Sequence, residues 1–334
     1  MDSKDKAIRF RTEIGEPSEY LGLSHSARFF TIGSCFSETI GERLRACKFQ
    51  AAVNPFGTIY DPISIHRLLS YAIENQIPDR TSFVQRDGIF FCDEFHSSIY
   101  APSTDLLEEK LKGIIQSAHE ELKQVNVLVI TYGTAWSYVR KDSGKQVANC
   151  HKLSSGIFEK RLLTLSEISD SFKNFSDRFS MIRPDALVML TVSPVRHIKD
   201  TLTGNSVSKA ILRVAAHALT NQSNVHYYPA FEILMDDLRD YRFYEGDLIH
   251  PNTQAVEYIW QHFSKMAFSE KTLQLIDQWE KIRIALAHRP FHPTSEAHKK
   301  FLIQLQSDLL QISKRLQLQD ELNELSHRIT QLKS

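Results

Sequence analysis

The sequence predicts an α/β fold: a three-layer sandwich with a mainly parallel sheet, hairpin insertions and a C-terminal helical extension. Three observations predict it. Four short apolar runs have the length and composition of buried strands, the segments between them carry helical periodicity, and the last part of the chain is helical in pattern without strand-like runs. Strands that alternate with helices pair in parallel through crossovers, and ligands of such sheets gather at the carboxyl ends of the strands.

Strands are expected at 28–33, 125–133, 186–195 and 225–228, and helices at 34–48, 62–74, 104–123, 157–181, 206–222 and 252–266. Two hairpins interrupt that rhythm. Asp87-Gly88 suits a tight turn between SFVQ and IFFCDEF, and Asp142-Ser143-Gly144 joins WSYVRK to KQVANC. If the second turn sets the register, Asn149 returns roughly opposite Ser137, which would bring Asn149 and His151 to the ligand edge of the sheet.

Beyond Ser269 the pattern is helical, with one helix over 269–288 broken by the two prolines of HRPFHP. Leu302, Leu305, Leu309, Ile312 and Leu316 follow three-four spacing, and Leu318, Leu322, Leu325, Ile329 and Leu332 repeat it in another phase. The phase jump argues against one uninterrupted coiled coil. Two readings stay open, a helical tail packed on its own domain and a homodimer contact through the C-terminal helices. The domain division expected is 1–267 for the α/β unit and 268–334 for the helical extension.

With 334 residues, 42% of them hydrophobic, the chain can bury a sizeable core. Lys plus Arg and Asp plus Glu both number 40, so no net field draws nucleic acid or an anionic membrane. The opening MDSKDKAIRFRTEI lacks the apolar core of a secretion signal, and no apolar run approaches a bilayer span, so a cytoplasmic protein is expected. Cys35, Cys47, Cys92 and Cys150 form no C-x-x-C pair, as befits reduced thiols.

The chemistry is sought at the first strand-to-helix corner. On the helix after Gly33, Phe36, Ile40, Leu44 and Cys47 make one apolar stripe, which assigns Cys47 to the core. At about 100° per residue Cys35 falls off that stripe, in the first turn, where free N–H groups and the helix dipole favour a thiolate. Cys35 is therefore either a packed corner residue or a nucleophile, with Ser34 as the fallback nucleophile. A base is offered by Asp247-Leu248-Ile249-His250: the carboxylate can orient the ring through Nδ1 and leave Nε2 to take a proton. A second Asp-x-x-His, Asp93 to His96, lies in a hairpin and is assigned a structural or substrate-contacting role. Donors for an oxyanion are sought in the N–H groups of Cys35, Gly57 and Gly133 and in the Asn149 side chain. The histidines lack metal-ligand spacing and no dinucleotide or P-loop motif occurs, so neither a metal nor a cofactor is expected. A weaker reading would join His96, His151 and His250 at a metal.

Gly33-Ser34-Cys35-Phe36, NPFGTIY at 54–60, YGTAW at 132–136, NCHK at 149–152, SPVRH at 193–197, NSVSKAILR at 205–213 and DDLRDYRFYEGDLIHP at 236–251 resemble the GSCFA-domain family through about Trp260. That family is grouped with the SGNH/GDSL hydrolase-like fold. The resemblance implies that Cys35 takes the nucleophile's place in the first SGNH block and that Asp247 and His250 match the late Asp-x-x-His block. The third block of that fold, Gly-x-Asn-Asp, falls near Gly133, where this chain has Ala135 in place of Asn. The expected function is an ester hydrolase or acyltransferase acting on a small-molecule or carbohydrate-type ester, the alternative a non-catalytic ligand-binding member of the fold.

Overall fold

The computed structural model describes residues 11–15 and 20–332. The stretch read for a secretion signal lies, up to Phe10, outside the described residues. Strand β1 (Arg28–Gly33) runs into helix α1 (Cys35–Ala46), followed by β2 (Gln50–Val53) and α2 (Pro62–Glu74). Helix α2 starts where the sequence says it should: the Asp61 carboxylate accepts from Ser64 N–H, and Pro62 needs no donor there. A small antiparallel sheet of β3 (Phe83–Arg86), β4 (Ile89–Cys92) and β5 (Tyr100–Ala101) comes next, with Asp87 and Gly88 both at positive φ in the predicted turn.

After α3 (Thr104–Leu122), β6 (Val127–Tyr132) enters the main sheet, and β7 (Trp136–Arg140), β8 (Gln146–Val147) and β9 (Phe158–Leu162) form a second small antiparallel sheet. The helix expected over 157–181 is thus corrected at its start. Phe158–Leu162 pairs with β7, and the Thr164/Glu167 capping box opens α4 (Leu165–Ile182) only afterwards. The chain continues through β10 (Leu187–Val192), α5 (Thr201–Leu219), β11 (Val225–Tyr228), the single turn α6 (Ala230–Glu232) with a π-helical turn after it, and α7 (Thr253–Ala267).

The main sheet has the order β11-β10-β6-β1-β2, with every pair parallel. Its two faces follow the period-two alternation of the strands. Phe30, Ile32, Leu128, Ile130, Val188 and Leu190 meet the helices α2 to α5 on one side, whereas Phe29, Val127, Val129 and Met189 meet α1 and α7 on the other. This is the three-layer sandwich. Because β2 lies on one side of β1 and β6 on the other, the strand order reverses between β1 and β6, the place where sheets of this kind take their ligands.

Helices α8 (Glu270–Ala287), α9 (Glu296–Ile312) and α10 (Gln319–Gln331) complete the chain. Leu302, Leu305, Leu309 and Ile312 close on Leu275, Trp279 and Ile282 of α8 and on Leu325 and Ile329 of α10. The stripes weighed as a homodimer contact are thus buried within the chain itself. Trp279 Nε1 donates to Ala46 O at 2.7 Å, and Lys48 pairs with Glu321, so the extension is seated on the end of α1.

Candidate active site

Gly33 ends β1 at φ 140°, and a Cβ there would lie 2.1 Å from Thr131 O of β6, so only glycine lets the two strands close at this point. Asn54 secures the corner from the other side: its Oδ1 accepts from Gly33 N at 3.0 Å and its Nδ2 donates to Ser34 O at 3.4 Å. Ser34 is fully buried, its hydroxyl has no partner, and it caps α1 without a side-chain bond. Cys35, half-buried, is the first residue of the helix.

The expected thiolate at Cys35 needs correction. Burial pushes its thiol up, and although the N–H groups of Cys35 and Phe36 and the charge of Lys209 pull the other way, they do not prevail; Glu38 adds to the rise. Cys47 is a core thiol, as the stripe predicts, pushed up to about 11. All four cysteines are free.

Most of the predicted oxyanion donors are engaged elsewhere. Gly57 N–H donates to Asn54 O at 2.8 Å in a turn where a Cβ would meet His96 at 2.3 Å. The N–H groups of Gly133 and Thr134 both donate to Tyr60 O, at 2.8 and 3.1 Å, and that of Ala135 to Ser208 Oγ at 2.7 Å. The second hairpin pairs Tyr138 with Val147, one residue off the expected register, because Lys141 joins the loop and the ladder ends at Val147. Asn149 N–H donates to Asp93 O instead, and its side-chain oxygen accepts from His151 N at 2.8 Å. His151 is buried, stacked on Phe91 and bonded to Cys92 O. The N–H groups of Cys35 and Phe36 are the donors left at the corner.

The late Asp-x-x-His forms a bonded pair and the early one does not. Asp247 Oδ2 accepts from His250 Nδ1 at 2.6 Å, while Oδ1 accepts from the N–H groups of Ile249 and His250 at 2.9 and 3.0 Å. These bonds hold the Asp247 carboxyl down at about 2. A carboxylate only accepts, so Nδ1 carries the hydrogen, and Nε2 is the nitrogen turned away from the pair. Both side chains stay about half exposed, at 48% and 43%. Asp93 is buried beside Glu94 and pushed up to about 6, while His96 bonds Ser98. Among the described residues no three His, Cys, Asp or Glu stand where they could share a metal, so the set His96, His151 and His250 does not assemble.

Between the corner and the pair lie residues that spacing alone did not single out. Lys209 is buried with Nζ donating to Gly133 O and Ser193 O, both at 2.7 Å. The His197 ring meets Tyr60 edge to face at 5.1 Å with its Nε2 buried and unpartnered, and burial, with Lys209 and His250 nearby, holds it down at about 3. Arg196 N–H reaches Ile249 O at 3.4 Å, and both Ile249 and Cys35 border the same apolar cluster.

Residues 28–263 match the GSCFA family. The chain belongs to that family. Residues 279–331 of this GSCFA protein match a second description, the C-terminal domain of GSCFA domain proteins. No curated protein matches its sequence. Among solved structures it is similar to a carbohydrate esterase family 3 from Talaromyces cellulolyticus, at 10% identity over 75% of this chain and 97% of that one, with a TM-score of 0.32. Among the described residues, no helix of the GSCFA chain is long and apolar enough to cross a membrane. The residues missed above sit inside its motifs, Tyr60 in NPFGTIY, His197 in SPVRH and Lys209 in NSVSKAILR, so the motifs were the available signal.

Proposed function

We propose that this GSCFA protein hydrolyses or transfers the acyl group of a small-molecule or carbohydrate-type ester, with Cys35 as nucleophile and His250, oriented by Asp247, moving the proton. The observation that carries this reading is the Asp247–His250 bond at 2.6 Å, made by a half-exposed side chain whose Nε2 has no partner among the described residues. Cys35 is preferred to Ser34 because the Ser34 hydroxyl is fully buried.

A thiol raised by burial is mostly protonated at neutral pH, so the base must take its proton as attack proceeds. Nε2 accepts that proton while Sγ bonds the carbonyl carbon, and the oxyanion turns to the N–H groups of Cys35 and Phe36. Collapse breaks the ester C–O bond, the alcohol leaves with the proton from Nε2, and a thioester remains on Cys35. Water or an acceptor hydroxyl, deprotonated by His250, then attacks the thioester and restores the thiol.

A panel of activated oxyesters and thioesters tests the reading: turnover should vanish in Cys35→Ala and His250→Ala and persist in Ser34→Ala. One observation favours a second reading, a ligand-binding protein without catalysis: the N–H groups of Gly133, Thr134 and Ala135 are all engaged within the protein. It predicts ligand binding that survives loss of both Cys35 and His250, with no turnover of any ester. The four free cysteines fit a reducing, cytoplasmic setting, and we divide the chain at 267/268 into catalytic and helical parts.

A further inference from the structure

Two motifs of the chain meet at a place the acyl-transfer scheme does not use. SPVRH brings Arg196 in after β10, and DDLRDYRFYEGDLIHP brings Tyr241 and Tyr244 in just ahead of the His250 loop. They enclose a cavity of about 430 Å³ lined by Arg196, Phe231, Met235, Arg239, Tyr241 and Tyr244, within the size range of small-ligand sites. The Arg196 guanidinium stacks on both tyrosines, 4.3 Å from the ring centroid of Tyr244 and 5.0 Å from that of Tyr241. Tyr244 is buried, whereas Tyr241 is 59% exposed and offers its ring to a ligand.

An arginine placed there for structure alone would have an acid to pair with, or enough carbonyls to engage its fork. Arg196 has neither among the described residues. Its side chain meets Leu248 O at 3.4 Å and the Tyr244 hydroxyl, which leaves most of its five donors without an acceptor from the protein, and no carboxylate stands within ion-pair distance. Arg239, on the same cavity, makes no ion pair either. The two acids of the lining do not neutralise them: Asp240 accepts from Arg242 N at 2.8 Å, and Asp236 has no ion-pair partner among the described residues. What the cavity lacks is an oxyanion. A planar guanidinium held against aromatic rings is the donor that matches one bidentately.

We propose that this cavity is a binding subsite for an oxyanion, a carboxylate or a phosphate, carried on a small ring such as a sugar, with Arg196 as the residue that selects it and Tyr241 as the platform for the ring. Its contacts tie it to the site already described. Arg196 N donates to Ile249 O at 3.4 Å, Tyr244 bridges to Pro251, and Glu245 N donates to His250 O at 2.8 Å, so both walls of the cavity are bonded to the loop that carries His250. That the oxyanion belongs to the ester substrate, which would make the substrate an acidic sugar ester, rests on the acyl-transfer reading; that the cavity holds an oxyanion does not.

The test is binding of glucuronate, glucose 6-phosphate and glucose to the full chain, titrated by ligand-observed NMR at constant ionic strength. At least one acid should bind about tenfold more tightly than glucose, and the tighter of the two identifies carboxylate or phosphate as the group received. Arg196→Met should remove that preference, and Arg196→Lys, which keeps the charge without the fork, should restore only part of it. No preference for either acid, or a preference that survives in Arg196→Met, would overturn the subsite. The unaltered protein gives a second readout that stands even if the variants do not fold: modification of Arg196 by phenylglyoxal, read on its own peptide by mass spectrometry, should slow several-fold with the preferred acid present and not with glucose. Equal rates with the acid and with glucose would also overturn it. Neither measurement needs turnover, so failed ester assays would count against the enzyme alone, and failed binding against the subsite alone.

Discussion

His250 Nδ1 donates to Asp247 Oδ2 at 2.6 Å, and the other oxygen of the same carboxylate receives the backbone N–H groups of Ile249 and His250. One exposed side chain thereby fixes the shape of the loop and the orientation of the ring. Asp247→Asn keeps the shape and loses the charge that selects the Nδ1–H form. Ester turnover should fall by about 10²- to 10⁴-fold with KM nearly unchanged, while the melting temperature stays close to that of the parent. Steady-state kinetics on an activated ester, with a thermal melt of the same sample, checks both halves.

Ser34 and Cys35 are neighbours with opposite expectations. Ser34 Oγ is buried without a hydrogen-bond partner, so Ser34→Ala removes an unsatisfied group and should be neutral or stabilising by about 1 kcal/mol, with activity retained. Cys35→Ala should leave the fold intact and turnover absent. Urea denaturation paired with the ester assay separates the two.

Much of this was legible from the sequence. Strands β1, β6, β10 and β11 follow from their apolar runs and the Asp87-Gly88 turn from local turn chemistry, whereas the short edge strand β2 was not read; the Asp247/His250 pair follows from its place late in the chain. Strand β9 was not legible, because Glu159, Lys160 and Arg161 in its middle hide the alternation that its pairing with β7 reveals. Nor was the engagement of the Gly133 and Thr134 N–H groups, since their acceptor, Tyr60 O, comes from a loop far away in the chain. Lys209 is hidden for a similar reason: a lysine on an amphipathic helix reads as solvent-facing until the carbonyls it meets are known.

Gly33 permits the approach of β1 to β6. With Thr131 O only 2.1 Å from where a Cβ would stand, at a positive φ, Gly33→Ala should cost about 3 kcal/mol or more. A fall in the urea midpoint of that size is expected, whereas Gly88→Ala, in an open turn with nothing within 4 Å, should lose much less.

His66 gives the fold a dependence on pH. Fully buried between Tyr132 OH at 2.7 Å and Ser171 Oγ at 3.0 Å, it is held down at about 3 by desolvation, against an ordinary value of 6.5. The unfolded ring takes a proton as pH falls through 6.5 and the folded ring refuses one until about 3, so stability is full above that window and declines through it. The slope should approach about 1.4 kcal/mol per pH unit, and His66→Gln should flatten it. Urea midpoints measured across the window read it; an unchanged slope in His66→Gln would assign the acid sensitivity to other groups.

The most direct test of the assignment is to look for the acyl group on sulfur. After brief exposure to an activated ester, peptide mass spectrometry should find an acyl group on Cys35 that turns over in the parent protein and persists in His250→Ala, with none at that peptide in Cys35→Ala. An acyl group absent from Cys35, or lost equally fast without His250, would contradict it.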